Sequence, residues 1–478
     1  MKKEDFDLDL PFYAVSEAED KGVEYAEARL QTTKDMACIM RNGQQKPAII
    51  SESSGLGIRV IVNGGLAFST SNVLEKSQIR ELVDTTVRRA KAASKLLKNK
   101  IKFSRERKNK KKWKAVEKEE LEEKNFEDVI KVLKEFDSII QENKDYIPMR
   151  LLEMEISTDR KIVVTSQGTF VDGYVPRLYV TGFLTGMKNG KTAQKSIEYG
   201  GSGGWELIEV LKIREDIQHQ TSVMKNIIEN AQKTIPGTYD VITGPEVTGI
   251  MAHESIGHPF EADRILGREA AQAGESYLKP SDIGMRIGSE ETNLSDDPTI
   301  PSSYGFYLFD DEGIPARKRK LVVNGIVNEL LHNRATAQAF KTKSNASARA
   351  TKFNREPIIR MANTFVEPGD YSFDELVKDV KQGIFINSFM EWNIDDIRRN
   401  QRYVGHEAYL IQNGEIKHPL ISPVVEVTTE RLWSNLDARG NNLEYWAAIC
   451  GKGDPMQGAP VWAGGPSLRL RNMKVKTR

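Results

Sequence analysis

The 478-residue sequence has little of what marks a specialised class of protein. It contains only two cysteines, Cys38 and Cys450, which lie far apart, and this argues against a scaffold held by disulfides. Its 69 Lys and Arg residues nearly balance 68 Asp and Glu residues, and a formal net charge of +1 gives no long-range field that would attract a polyanion. With 39% hydrophobic and 29% charged residues, the composition is that of an ordinary globular protein.

Long hydrophobic runs are also missing. No apolar stretch approaches the roughly 20 residues that a membrane helix needs, and the first ten residues contain no hydrophobic signal core. We therefore expect a cytoplasmic protein without a membrane segment. Because a single hydrophobic core stops growing at about 250–300 residues, we also expect at least two domains.

The N-terminal half combines helical patterns with strand hairpins. Residues 11–22 and 74–98 carry apolar side chains at helical spacing. Asn42-Gly43 and Asn63-Gly64-Gly65 each separate two strand-like segments and supply the positive φ angles of a tight hairpin turn. These patterns predict an N-terminal α/β domain of antiparallel hairpins and helices over residues 1–235.

A basic segment at about 98–114 interrupts this domain, and Phe103 and Trp113 are interleaved with its lysines and arginines. One interpretation is nucleic-acid binding, with the two rings stacking on bases. We favour a solvated connector, because an acidic stretch follows at residues 117–123 and no nucleic-acid motif accompanies the segment.

The C-terminal half begins near Pro236-Gly237, which marks a domain boundary. Residues 236–478 contain short strand patterns separated by turn signals such as Asn324-Gly325 and Asn413-Gly414. We predict a mostly antiparallel, barrel-like or sandwich-like β domain that carries a metal-binding helix. The predicted fold class of the whole chain is α+β.

The most informative motif is His253-Glu254-Ser-Ile-Gly257-His258, a His-Glu-x-x-x-His pattern. In the zincin motif His-Glu-x-x-His, two histidines one helical turn apart bind zinc and the glutamate acts on water. The present spacing is one residue longer, and positions five apart on a regular α-helix point about 140° apart. A single π-type turn would bring both rings to one side, and Gly257 and Pro259 favour such a distortion.

Two histidines leave a catalytic zinc site one protein ligand short. Glu261 and Asp263 follow the motif closely, whereas Cys450 is a distant thiolate candidate between an apolar strand and a glycine-rich turn. The residues alone do not choose among the three. His219, His332, His406 and His418 have no partner at ligand spacing, and we assign them no metal role.

The chain from about residue 237 onward resembles the TldD/PmbA family of metalloproteases, and in particular the TldD branch, which keeps the zinc motif. The N-terminal half is similar to the family more loosely. The segments that carry the resemblance are His253-Glu-Ser-Ile-Gly-His258, Asp310-Asp-Glu-Gly313, 321–325, Met361-Ala-Asn-Thr364, Glu407-Ala-Tyr-Leu-Ile411 with Asn413-Gly414, and Ile449-Cys450-Gly451.

The resemblance implies that His253, His258 and Cys450 hold one zinc ion per chain and that Glu254 is the general base that activates the zinc-bound water. It also implies a subunit that pairs into a hollow dimer, with itself or with a sister TldD/PmbA-type chain, and hydrolyses unstructured peptides or unfolded protein segments. Two alternatives stay open: a non-catalytic or nucleic-acid-associated assembly subunit, and a metal-free cysteine peptidase with Cys450 as nucleophile.

An exposed sheet edge could hold such a peptide as an extended strand, because backbone pairing does not demand a particular sequence. Residues 302–309, residues 358–365 and the residues before Cys450 are the candidate edges. The sequence does not choose among them.

Overall fold

The computed structural model describes residues 7–269 and 274–478. An eight-stranded sheet forms the N-terminal half, and a ten-stranded and a six-stranded sheet form most of the C-terminal half. The sheets are antiparallel or mixed, and within the described residues none closes into a barrel. The predicted α+β fold class is confirmed.

The N-terminal sheet has the strand order β4-β3-β1-β6-β7-β5, with β2 paired to β1 and β8 paired to β7. Helices pack against strands of this sheet, and Arg29 of the sheet donates to Arg355 O of the C-terminal half at 2.6 Å. The elements up to residue 233 are α1 (Asp9–Glu19), β1 (Tyr25–Arg41), β2 (Gln44–Gln45), β3 (Ile49–Val62), β4 (Gly65–Ser71), α2 (Lys76–Leu96), β5 (Lys110–Lys114), α3 (Phe126–Gln141), β6 (Met149–Thr165), β7 (Phe170–Lys188), β8 (Lys191–Ser202), α4 (Leu207–Val210), α5 (Ile213–Asn230) and β9 (Gln232–Lys233).

The two predicted hairpin turns are confirmed. Asn42 and Gly43 have φ angles of 50° and 75°, and Asn63 and Gly64 have φ angles of 48° and 71°. These left-handed conformations are the ones that a tight turn between twisted antiparallel strands requires. The pattern of residues 205–234 predicts one long helix, but the structure has two helices there, because Lys212 adopts a φ of 50° between α4 and α5.

The basic segment contains an edge strand, which differs from the solvated connector we expected. Strand β5 pairs in parallel with β7, and four of its five residues are lysines, which protect an exposed edge against further pairing. Trp113 in this strand packs against Phe306 of the C-terminal half, with ring centroids 6.0 Å apart. Asn109 Nδ2 donates to Gly313 O at 3.1 Å. The segment therefore connects the two halves through direct contacts.

In the C-terminal half, the six-stranded sheet has the order β13-β12-β11-β16-β25-β24. The elements of this half are β10 (Gly237–Thr243), α6 (Pro245–Ala252), α7 (Ala262–Ile265), β11 (Leu294–Asp296), β12 (Arg319–Val323), β13 (Ile326–Val327), α8 (Arg334–Ala339), β14 (Ala348–Arg349), β15 (Ile358–Ile359), β16 (Asn363–Val366), α9 (Phe373–Lys378), β17 (Gln382–Ile386), β18 (Phe389–Ile394), β19 (Asn400–Gly405), β20 (Ala408–Gln412), β21 (Glu415–Ile421), β22 (Pro423–Thr428), α10 (Thr429–Ser434), β23 (Leu436–Arg439), β24 (Glu444–Lys452), β25 (Gln457–Gly465) and β26 (Leu468–Thr477).

Helix α6 lies in the main hydrophobic core of this half. It packs against β16, β24 and β25, and Val247, Met251 and Ile256 of α6 and the turn after it are fully buried. Burial of each such side chain stabilises the fold by roughly 1.5–3 kcal/mol. Among the described residues, no helix combines the length and the apolar composition that a membrane crossing requires.

Two histidines of this half are buried away from the metal motif, and they make stability depend on pH. Burial lowers the pKa of His406 to about 3 and that of His332 to about 4. Both imidazoles titrate near 6.5 in an unfolded chain, so below this pH the unfolded state binds more protons than the native state. The native protein should therefore lose stability as the pH falls from about 6.5 towards 4.

We expect the free energy of unfolding to decrease over this range by up to about 1.4 kcal/mol per pH unit for each of the two histidines. Urea unfolding of the wild type and of His406→Gln at pH 7.5, 6.5, 5.5 and 4.5 measures this. The variant should show a shallower dependence on pH. An identical slope in the two proteins would contradict the contribution of His406.

Candidate metal centre

The helix that carries the His-Glu motif follows directly from a central strand. Strand β10 ends at Thr243, and Pro245 occupies the first position of α6, where its missing N–H costs no hydrogen bond. After Ala252 the helix widens into a π turn over His253–Gly257. The N–H of His258 donates to His253 O at 3.1 Å, five residues back, so the π turn predicted from the motif is confirmed.

Gly257 matters for a steric reason and not for the conformational freedom that the sequence suggested. Its backbone belongs to the π turn, where a residue with a side chain would be allowed. A Cβ atom at this position would, however, lie 2.0 Å from Met361 Sδ. The glycine thus allows the turn to approach the segment just before β16.

The π turn and the distant strand β24 bring three predicted site residues together. Candidate ligand atoms of His253, His258 and Cys450 all lie within 4.8 Å of one another, and the three side chains are buried. The two imidazole rings are 4.8 Å apart between centroids, and Cys450 Sγ lies 3.2 Å from His258 Nε2. Within residues 7–269 and 274–478, no other group of His, Cys, Asp and Glu residues has such a geometry.

Cys450 is positioned by its strand and by a buried arginine. It pairs with Ala459 across β24 and β25, and β24 is the last strand of the six-stranded sheet. The Arg360 guanidinium donates to Cys450 O and, at 2.7 Å, to Gln457 O. Arg360 therefore ties the two strands together at the level of the thiol.

The electrostatic environment favours the protonation states in which these side chains bind metals. Burial lowers the pKa of His258 to about 4 and also lowers the pKa of His253. Burial raises the pKa of Cys450, but His258 and Arg360 outweigh it and bring this pKa down to about 7. Neutral imidazoles and a thiolate are the forms that coordinate a metal ion.

Glu261 and Asp263, the two carboxylates considered as a third ligand, lie outside the group of three candidate ligands. Glu261 Oε2 is 3.0 Å from His258 Nδ1, and it accepts from Arg264 Nε at 2.6 Å. Burial raises the pKa of Glu261, but Lys452, Arg264 and His258 outweigh it and hold this pKa well below its usual range. Asp263 accepts instead from Lys452 Nζ at 2.8 Å. Glu261 is thus a partner of a candidate ligand.

Glu254 is buried next to the three side chains and faces the same cavity. Its Oε2 atom accepts from Arg398 Nη1. Arg398 is a site residue that the sequence did not indicate, and it lies 144 residues away in the turn between β18 and β19. No local pattern pointed to it, because an arginine in a polar turn is usually solvated.

The cavity has a volume of about 650 Å³ and is shared by both halves of the chain. Tyr179 and Lys195 line it from the N-terminal sheet, and Phe389, Trp392 and Trp446 line it from the C-terminal half. The cavity therefore brings aromatic side chains next to a buried carboxylate and three candidate metal ligands.

Two models of one protein family match separate parts of the chain. Residues 236–477 match the PmbA/TldA metallopeptidase C-terminal domain, and residues 26–93 match domain 1 of the same family. The chain belongs to the PmbA/TldD metallopeptidase family. The predicted family and the predicted enzyme class, a metallopeptidase, are thereby confirmed.

Individual relatives agree with this assignment. The chain is 29% identical over 486 aligned residues to a metalloprotease of Methanothermobacter thermautotrophicus, which covers 98% of this chain and 99% of the relative. It is 32% identical over 258 residues to a zinc metalloprotease TldD homolog of Saccharolobus solfataricus, with 53% and 55% of the two chains covered. The structure of TldE from Thermococcus kodakarensis is similar in fold, with a TM-score of 0.72 at 17% identity and 96% and 98% coverage.

The close approach of Gly257 to Met361 generates a stability prediction. Gly257→Ala should lower the free energy of unfolding by about 1–3 kcal/mol, because the added methyl group overpacks the core beneath the π turn. The double variant Gly257→Ala/Met361→Ala should be more stable, by at least about 1 kcal/mol, than the sum of the two single effects on the free energy of unfolding predicts. Urea unfolding of the four proteins measures this coupling, and strict additivity would show that the predicted clash is absent.

Proposed function

We propose that the chain is a zinc-dependent peptidase in which His253, His258 and Cys450 hold one zinc ion and Glu254 is the general base. One observation carries this proposal: three buried ligand atoms lie within 4.8 Å of one another beside a carboxylate that lines the same cavity. The name of the Saccharolobus relative, a zinc metalloprotease, supports the choice of zinc.

The donor set fits this ion. Histidine nitrogen and cysteine sulfur are common zinc ligands, and three protein ligands leave one position open, as catalytic sites require. His253 Nδ1 is buried without a hydrogen-bond partner in the described part of the chain. The chemistry that zinc supplies when bound is polarisation of the scissile carbonyl and a lowered pKa of water.

Glu254 performs the proton transfers. Its carboxylate takes a proton from the water that attacks the carbonyl carbon, and it then delivers a proton to the amine as the C–N bond breaks. Because Glu254 directly follows His253 in the π turn, it faces the cavity next to the proposed ligands without being one of them.

The edge of β24 supports an unstructured peptide as the substrate. Residues 302–309 contain no strand, and 358–365 contain the two-residue strand β15, which pairs with β14, and most of strand β16, which lies between β11 and β25. In contrast, β24 has β25 as its single hydrogen-bonded neighbour among the described strands, and Ile449, 48% exposed, borders the cavity. An unstructured peptide that adds to this edge would pass beside Cys450 and be recognised through its backbone.

We also propose that the subunit acts in a dimer that encloses this cavity, either with itself or with a sister chain. The similarity in fold to TldE makes a homologous chain the partner to test first. Size-exclusion chromatography with light scattering, on the protein alone and after co-expression with a homologue from the same organism, distinguishes the two arrangements from a monomer.

A second candidate is a cysteine peptidase without metal. The observation that favours it is the pair formed by Cys450 and His258, 3.2 Å apart, with the pKa of the thiol at about 7. Such a pair can generate a nucleophilic thiolate. This mechanism predicts hydrolysis that survives removal of zinc, whereas the zinc mechanism predicts loss of activity and its recovery when zinc is returned.

The decisive experiment combines metal analysis with hydrolysis of an unstructured fluorogenic peptide. The wild type should contain about one zinc per chain and should lose hydrolysis when treated with chelator. Glu254→Gln should keep the zinc and lose hydrolysis by about 10²–10⁴-fold, because the general base is absent. Glu290→Gln, at an exposed position, is the matched control and should retain activity.

Each alternative gives a different result in this experiment. Hydrolysis that persists without metal and disappears in Cys450→Ser would identify the cysteine mechanism. A wild type that contains zinc but hydrolyses no peptide, alone or with a homologous partner, would identify a non-catalytic assembly subunit.

The contact between Glu261 and His258 generates a further prediction about zinc affinity. A carboxylate on the second ring nitrogen orients a histidine ligand, and loss of such a partner weakens metal binding by about 10–100-fold. Glu261→Gln should weaken zinc binding to this extent in a competition assay with a chromophoric chelator. Asp263→Asn is the control, because Asp263 contacts Lys452 but not His258. An equal loss in both variants would contradict an orienting role for Glu261.

A further inference from the structure

The turn between β18 and β19 forms a wall of the cavity opposite the π turn. Phe389 and Trp392 of β18 line the cavity, and Arg398 reaches it from the turn. The N–H of Arg398 donates to Asp395 O at 3.0 Å, and Arg398 has a φ of 61°. This left-handed conformation is unfavourable for an arginine, and contacts with the surrounding structure have to offset its cost.

Hydrogen bonds behind the turn enforce this conformation. Thr429 donates from its hydroxyl group to Arg398 O at 3.3 Å and from its N–H to Arg399 O at 2.9 Å. The Thr429 hydroxyl in turn accepts from Gln401 Nε2 at 2.7 Å, and Gln401 Oε1 accepts from the buried Tyr403 hydroxyl. The backbone of Arg398 is therefore fixed from the side remote from the cavity.

The side chain of Arg398 meets the proposed general base. Arg398 is 7% exposed and Glu254 is 3% exposed, so the charges of both groups are largely removed from water. The guanidinium donates to Oε2 of Glu254. The other carboxylate oxygen, Oε1, makes no hydrogen bond to the described part of the chain. One oxygen of the base is thus held by Arg398, and both residues line the cavity.

We propose that Arg398 is a positioning residue for peptide hydrolysis: it holds Glu254 Oε2 so that Oε1 is directed at the attacking water. A general base works only when its oxygen lies within hydrogen-bond reach of the proton it takes, and small displacements of reacting groups cost large factors in rate. This inference rests on the proposed function of Glu254. The inference adds Arg398 to the residues that act on the chemical step. It also adds Thr429, whose hydrogen bonds support the backbone of Arg398.

The test compares variants of two neighbouring arginines. Arg398→Met should lower kcat by about 100-fold and leave KM within about threefold, because the substrate still binds but the base is misdirected. Arg398→Lys should recover at least about tenfold of this loss through its single ammonium group. Arg399→Met is the matched control, since Arg399 pairs with Glu430 at 2.8 Å on the exposed side of the turn, and its kcat should equal that of the wild type.

Two measurements independent of turnover accompany the kinetics. Zinc content should stay at about one per chain in every variant. In the inactive Glu254→Gln protein, adding Arg398→Met should leave the Kd of a fluorescent peptide within about threefold. If Arg398→Met does not fold, Thr429→Val provides the second variant, and it should lower kcat by about tenfold because the backbone support of Arg398 is weakened.

Several outcomes would overturn the inference. Arg398→Met could keep a kcat within threefold of the wild type, lose activity through KM and peptide Kd, or lose zinc. Each of these results would show that Arg398 does not position the base. These results differ from failure of the proposed function, in which the wild type itself shows no zinc-dependent hydrolysis and the inference fails with it.

Discussion

One hydrogen bond determines the geometry of the centre: the N–H of His258 donates to the carbonyl of His253, five residues earlier. A regular helix would place these two side chains about 140° apart around its axis. The π turn removes this divergence and leaves the rings 4.8 Å apart, and it also orients Glu254 towards the cavity. The remainder of the site is arranged around this turn, since Gly257 keeps the space next to Met361 open.

The sequence predicts what is local and leaves open what depends on tertiary contacts. The hairpins at Asn42-Gly43 and Asn63-Gly64 follow from residues that accept left-handed conformations, and the π turn follows from the spacing of two histidines. The break at Lys212, which has a left-handed conformation, has no comparable signal, because lysine is a good helix former.

The third candidate ligand is also determined by tertiary contacts and not by the local sequence. By residue type and spacing, the sequence does not choose among Glu261, Asp263 and Cys450, and only the family resemblance implies Cys450. The structure brings only Cys450 into the group, because strand order places β24 at the end of a sheet beside the π turn. Glu261 follows His258 by three residues and contacts Nδ1 of its ring. Ion pairs with Lys452 and Arg264 hold Glu261 in this position.

Buried charges around the centre are arranged as compensated pairs, and one of them joins the two halves of the chain. Glu246, in the first turn of the helix that carries His253, accepts from Lys195 Nζ of β8 at 2.6 Å and 2.7 Å. Burial raises the pKa of Glu246, and Lys195 opposes this effect. Removing one partner of a buried pair leaves an uncompensated charge, which typically destabilises a protein by about 3–5 kcal/mol. The N-terminal sheet is therefore part of the structure that holds the helix in place, and residues 236–478 alone would present this carboxylate unpaired at the cavity.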